Sequence, residues 1–223
     1  MERSTAYVIN LDKRPDRWRK MNEEWSVWLD LERVSGIVIP DGVTPHSHTA
    51  AEGLGLTHMK LLQEASERGE KTILILEDDA VPEPQWYERW VEIKKYLDSH
   101  LDDWDVFNGG AHQLKDCFNV IELDKSALLD SNRCCAGHFL YLNLQRVQYF
   151  LNWKTRPMDI DMWYCCTGFQ LFCSYPILAK QADGHSDIIN GERDWDFTYM
   201  SNEAHFRRHL GDKYYKYNVK LSL

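Results

Sequence analysis

Three acidic residues in a row, Glu77-Asp78-Asp79, follow Thr72 to Leu76 (TILIL), the most strand-like run in the chain. Adjacent carboxylates repel one another, and each costs free energy to bring towards a low-dielectric interior. A divalent cation relieves both costs. Hard ions such as Mg²⁺ and Mn²⁺ take octahedral oxygen ligands and accept substrate phosphates among them. The run therefore fits a cation-bound nucleotide diphosphate, and it equally fits a solvated turn whose aspartate caps the next helix. Near the start of the chain, Arg14 and Arg17 lie three apart, just after an apolar run and beside a helix start. Two guanidinium groups next to unpaired helix N–H groups suit a phosphate; the other reading is two exposed helix charges.

The elements that must carry these residues alternate. Ala6 to Leu11 reads as a buried strand, and Pro15 marks a helix start after Asp12-Lys13-Arg14. Trp18, Met21, Trp25 and Trp28 recur at helical spacing. Val34 to Ile39 reads as a second strand, and a helix runs from Thr49, in a capping-box pattern, to about Arg68. Trp86, Trp90, Ile93 and Leu97 mark one face of a third helix. Asp105 to Asn108, Phe118 to Leu123, Phe139 to Leu142, Phe169 to Tyr175 and Ile177 to Lys180 are further strand candidates, with a helix near Val147 and Phe150. Strands alternating with helices predict an α/β fold with a mostly parallel central sheet and helices on both faces. In such sheets ligands sit at the carboxyl ends of the strands, where Asn10-Leu11-Asp12 and Glu77-Asp78-Asp79 both fall.

Composition narrows the function. With 223 residues the chain suits one domain, read here over residues 1–223, although its ending carries no stop signal and is compatible with a longer protein. A net charge of −9 argues against broad nucleic-acid or anionic-membrane binding. No apolar run approaches the roughly 20 residues of a membrane span, and the N-terminus lacks a signal-peptide core. A cytoplasmic location is expected. The six cysteines, among them the pairs Cys134-Cys135 and Cys165-Cys166, form no C-x-x-C pattern and read as free thiols.

The opening Tyr7-Val8-Ile9-Asn10-Leu11-Asp12-Lys13-Arg14-Pro15-Asp16-Arg17 resembles that of glycosyltransferase family 25, which includes lipopolysaccharide sugar transferases and collagen galactosyltransferases. Gly53-Leu54-Gly55-Leu56-Thr57-His58 resembles the family's Gly-x-Gly-Cys-x-x-Ser-His segment, shorter and with Thr in place of Ser. Leu76-Glu77-Asp78-Asp79 resembles its Leu-Glu-Asp-Asp segment, and Ala179-Lys180-Gln181 with Ser186-Asp187-Ile188 resembles a later one. The likeness spans roughly residues 6 to 190 and extends to small virus-encoded transferases that decorate capsid proteins. It implies a GT-A fold, a UDP-linked hexose donor (glucose, galactose or a deoxyhexose such as rhamnose), a glycan or glycoprotein acceptor, inversion, and Mn²⁺ or Mg²⁺. It further implies that Asp79 binds the metal, and that Asn10, Leu11, Arg14, Arg17, His58, Glu77 and Asp78 serve the donor. A late histidine, His205 or His209, would add a metal ligand.

Such a transfer needs a base for the acceptor hydroxyl. Asp159 and Asp161 lie among apolar and aromatic residues, where a carboxylate's pKa rises. If that segment is helical they point to different faces, so one would be the base and either could instead cap the helix. Of nine tryptophans, Trp163 and Trp195 lie on no helical stripe and are the candidates for stacking on an acceptor sugar. A non-enzymatic Trp-rich carbohydrate-binding module and a metal-dependent nucleotide-sugar phosphohydrolase are the competing readings.

Overall fold

The computed structural model describes residues 3–40, 49–153, 159–186, 191–193 and 195–217. Strand β1 (Thr5–Asn10) leads into α1 (Pro15–Trp25), with Pro15 in the first turn, where its missing N–H costs nothing. The edge strand β2 (Asp30–Ser35) follows, then α2 (Thr49–Glu67), β3 (Thr72–Glu77) and the short β4 (Ala80–Pro82). Helix α3 (Trp86–Ser99) precedes β5 (Val106–Asn108), β6 (Cys117–Glu122), β7 (Ala127–Ser131) and β8 (Phe139–Asn143). The chain continues through α4 (Val147–Phe150), α5 (Ile160–Cys166), β9 (Leu171–Tyr175), β10 (Ala179–Gln181), β11 (Gly184–Ser186) and β12 (Gly191–Arg193). It then forms α6 (Asp196–Leu210) and α7 (Lys213–Tyr217).

Eight strands form the central sheet in the order β2-β1-β3-β8-β5-β9-β7-β6. Six run one way; β8 and β7 run against them, so the sheet is mostly parallel in direction, although each reversed strand makes two antiparallel pairs. Helices cover both faces. One face buries Tyr7, Ile9, Ile73, Ile75, Leu140 and Leu142 beneath α2, α4, α5, α6 and α7; the other buries Val8, Leu74, Leu76, Phe107, Phe139 and Tyr141 beneath α1 and α3. Alternation along each strand sends neighbouring residues to opposite faces. The short hairpin β4–β10 extends from the acidic turn, pairing Gln181 with Ala80.

The second face is aromatic. Trp90 packs edge-on against Tyr141 and Phe139 at centroid distances of 5.1 and 5.4 Å, and Trp25 lies 4.5 Å from Trp86. A buried indole N–H usually finds an acceptor; Trp90 Nε1 has none among the described residues. Trp25 Nε1 donates to the carbonyl of Ala80 at 3.2 Å, which ties α1 to the chain just past Asp79. The stripe expected on the first helix holds for Met21 and Trp25, but α1 ends at Trp25 and Trp28 is 39% exposed.

Two expectations need correction. The second strand is not Val34 to Ile39 but Asp30–Ser35: as an edge strand it has one neighbour and little burial, so its sequence DLERVS carries no apolar signal. The apolar Ile37 instead lies against α2, its N–H donating to Thr57 Oγ1 at 2.9 Å and its carbonyl so close that a Cβ on Gly53 would sit 2.2 Å from it. Strand β7 was not anticipated, although Leu128 and Leu129 are fully buried. All six cysteines are free.

Trp90 joins α3 to three aromatic neighbours, so Trp90→Ala should cost about 3–5 kcal/mol through lost contacts and a residual cavity. Urea unfolding checks this: the midpoint should fall with an unchanged m-value.

Candidate functional site

The parallel register of β1 and β3 sets Ile9 opposite Glu77. Asn10, the last residue of β1, therefore lies beside Asp78, and at 1% exposure its amide must find partners. Its Nδ2 donates to Asp78 Oδ2 at 2.7 Å and to the Arg14 carbonyl at 2.9 Å, while its Oδ1 accepts from Arg33 Nε at 2.8 Å. Arg33 also donates to Asp12 Oδ1 at 2.6 Å. Helix α1 delivers Arg17, whose Nη1 donates to Asp78 Oδ1 at 2.8 Å and lies 3.9 Å from Asp79 Oδ2. Asp78 is thus held on both oxygens. Arg14 is engaged by Asp16 at the surface, and Leu11 turns the chain by accepting from Arg14 N–H at 2.8 Å.

Asp79 is held differently. Its Oδ2 accepts from Gln181 Nε2 at 3.0 Å and its carbonyl from Ala182 N–H at 2.8 Å, both on the β10 side of the hairpin. Its Oδ1 is buried and, among the described residues, has no hydrogen-bond partner. A buried carboxylate oxygen left without a donor is costly, and it is the kind of acceptor a cation or substrate hydroxyl can satisfy.

The fourth carboxylate comes from α5. Asp159 is the exposed N-cap residue and its side chain makes no capping bond, whereas Asp161 lies in the first turn, half-buried. Asp161 Oδ1 accepts from Met162 N–H at 2.8 Å and Oδ2 from Ala136 N–H at 3.2 Å. Ala136 adopts φ +86, a region that side chains avoid, and Gly137 follows. A Cβ on Gly137 would stand 2.5 Å from Glu77 Oε1 and 3.4 Å from Asp161 Cβ. A Cβ there would push the Glu77 carboxyl aside. Burial raises the pKa of Glu77 well above its ordinary value, reinforced by Asp79, Asp161 and Asp78. Burial likewise raises Asp79, Asp78 and Asp161, with hydrogen bonds opposing it in each case.

Among the described residues the other sequence candidates make no hydrogen bond to these carboxylates. His58 is fully buried on α2; its ring packs against Tyr164, 3.4 Å from that hydroxyl, and burial pulls its pKa down to about 3. That position gives it no solvent contact through which to meet a donor. Trp163 packs on the core, its Nε1 donating to the Phe150 carbonyl at 3.2 Å and its ring edge-on to Phe169. Trp195 stacks on His112 at 5.4 Å, its backbone N–H donating to Asp183 Oδ1 at 2.8 Å. His205 and His209 stack on each other along α6 with centroids 6.5 Å apart. Residues 187–188 and 194, within segments singled out in the sequence, lie outside the described residues. Among the described residues no three His, Cys, Asp or Glu side chains converge as a cation site.

Sequence reasoning missed Gly137, Ala136, Arg33 and the role of Gln181. Gln181 lay in a segment singled out by resemblance; the others carried no local signal, since their role is set by what β8 and β2 bring alongside them.

No protein-family model matches the chain, and no curated protein matches it. Among solved structures it is similar to a glycosyltransferase involved in the glycosylation of the major capsid of PBCV-1, with 13% identity and a TM-score of 0.47 over 83% of this chain and 95% of that one. No helix among the described residues is long and apolar enough to cross a membrane.

A raised folded-state pKa means that the native protein holds its proton where the unfolded chain has lost it. Stability is then full below the ordinary value of 4.5 and falls as pH rises towards the folded pKa. Glu77→Gln should therefore unfold at a higher temperature than wild type at pH 8 and at nearly the same temperature at pH 4. Calorimetry in EDTA checks both arms.

Proposed function

We propose that this chain is a sugar transferase that moves a hexose from a UDP-linked donor onto a hydroxyl of a glycan or glycoprotein, with inversion at the anomeric carbon. The observation that carries this reading is the pairing of Glu77 with Asp161 across Gly137, at the same sheet edge as the Asn10–Arg17–Asp78 network and the unpartnered Asp79 Oδ1. The resemblance of residues 7–17 and 76–79 to glycosyltransferase family 25 supports it further.

The residues present suit a Mn²⁺ or Mg²⁺ ion that borrows most of its ligands. Asp79 offers a free oxygen, and Glu77 stands beside it as a second carboxyl group. Ions of this class are commonly held by one or two carboxylates, with substrate phosphates and water completing the shell. Such an ion, when bound, neutralises charge on a leaving diphosphate.

The chain's own residues supply the rest. Asp161 takes the proton of the attacking hydroxyl as its oxygen bonds to the anomeric carbon. The bond from that carbon to the phosphate oxygen breaks, and the nucleoside diphosphate leaves with the electron pair. Burial raises the Asp161 pKa towards working pH, which strengthens it as a base, while the N–H groups of Ala136 and Met162 hold its orientation. Arg17 fixes Asp78 against repulsion from Asp79, keeping the acidic turn in place for the donor. The Trp195–His112 stack offers an aromatic surface for an acceptor sugar.

Calorimetric titration with UDP, in Mn²⁺ and in EDTA, tests donor binding. Binding should need the cation and be lost in Asp79→Ala. Turnover of a UDP-hexose should fall about 10²- to 10⁴-fold in Asp161→Asn, with UDP affinity retained. Failure of UDP, GDP, CMP and TDP alike to bind would overturn the reading; an Asp161→Asn enzyme within tenfold of wild type would remove the base assignment alone.

A further inference from the structure

A cavity of about 420 Å³ opens between the start of α3, the β6–β7 turn and α7, lined by Arg89, Lys125, Lys216, Glu88, Asp124 and Tyr217. None of these residues belongs to the carboxylate edge described above. Arg89 stands out because it is only 8% exposed. Its Nη2 donates to the carbonyls of Pro84 at 2.8 Å and Ile177 at 3.3 Å, but its buried Nε has no acceptor among the described residues. Among the described residues no carboxylate comes within ion-pair distance of it: the nearby Glu83 is taken by Lys180 at 3.1 Å, and Glu88 acts on it only through its field. A guanidinium removed from water without a counter-anion is unfavourable, and its planar donors match carboxylate and phosphate oxygens. Burial accordingly pulls its pKa down.

The rest of the cavity restricts what would fill it. The Lys125 ammonium forms no ion pair among the described residues; only its backbone N–H is engaged, by Glu92. Lys216 is shared between the Leu123 carbonyl and the Tyr217 hydroxyl and stands 4.0 Å from Glu122. Glu88 and Asp124 bring two carboxylates to the same walls. Ionised carboxylates accept hydrogen bonds and donate none, so they favour hydroxyl groups and oppose a second anionic group. The volume falls within the range of small-molecule sites.

We propose that this cavity is a second ligand site, taking a small hydroxylated molecule that carries one oxyanion. Arg89 and Lys125 bind the oxyanion, and Glu88 and Asp124 accept from the hydroxyls.

Glucose 6-phosphate, inorganic phosphate and glucose are suitable probes, applied to the full chain in thermal denaturation at matched ionic strength in EDTA. Glucose 6-phosphate should raise the unfolding midpoint, inorganic phosphate should raise it less, and glucose should leave it unchanged. The response should persist in Asp79→Asn and vanish in Arg89→Leu. Lys125→Ala, a surface change that spares the fold, should raise the half-saturating concentration at least tenfold. Three outcomes would each overturn the proposal: no shift at millimolar glucose 6-phosphate, an equal shift with glucose, or a shift that Asp79→Asn abolishes and Lys125→Ala leaves intact.

Discussion

The hydrogen bond from Asn10 to Asp78 depends on two parallel strands in the right register, and the acidic turn depends on it. Because Ile9 faces Glu77, the first residue past that pair on β1 meets the first residue past it on β3. A one-residue slip would turn Asn10 to the other face of the sheet and leave Asp78 buried with one partner fewer. The same asparagine accepts from Arg33 and donates to the Arg14 carbonyl, so β2, the start of α1 and the acidic turn are fastened at a single buried amide. Arg17 completes the arrangement with an ion pair whose members are both largely shielded from water.

The aromatic layer beneath α1 and α3 makes this fastening rigid. Trp25 both fills the core and donates to Ala80, so the helix that carries Arg17 cannot shift without disturbing the residue after Asp79. Close-packed interiors transmit such displacements, because few voids are available to absorb them. Arg17 therefore meets Asp78 at a distance set by the core as well as by the ion pair.

Strand β8 has the decisive direction. Running against its neighbours, it brings its entry, Ala136-Gly137-His138, to the edge where β1, β3 and β5 end. There the absent side chain of Gly137 leaves room for Glu77 and Asp161 to approach. Glu77, Asp78, Asp79 and Asp161 then share a partly dehydrated edge in which Arg17 is the guanidinium ion-paired to Asp78 and Asp79. Burial is the main cause of their raised pKa values, and for Glu77 the other three carboxylates add to it.

Much of this was legible in the sequence. Short-range patterns fix the local elements: TILIL before three acids, Pro15 at a helix start, and Trp86, Trp90, Ile93 and Leu97 on one helical face all became what their spacing requires. They also set the sheet edge to which Asn10 and the acidic run belong, because strand alternation and helix punctuation are properties of neighbouring residues. Three-dimensional structure alone decided who meets whom. That Asp161 rather than Asp159 faces Glu77, that Gln181 holds Asp79, that Arg33 reaches Asn10 and that His58 is sealed in the core are contacts between residues 23 or more apart, with Asp161 and Glu77 separated by more than 80 positions. Sequence spacing carries no record of such contacts: they follow from strand order, from the reversed direction of β8 and from the space left where Gly137 has no side chain.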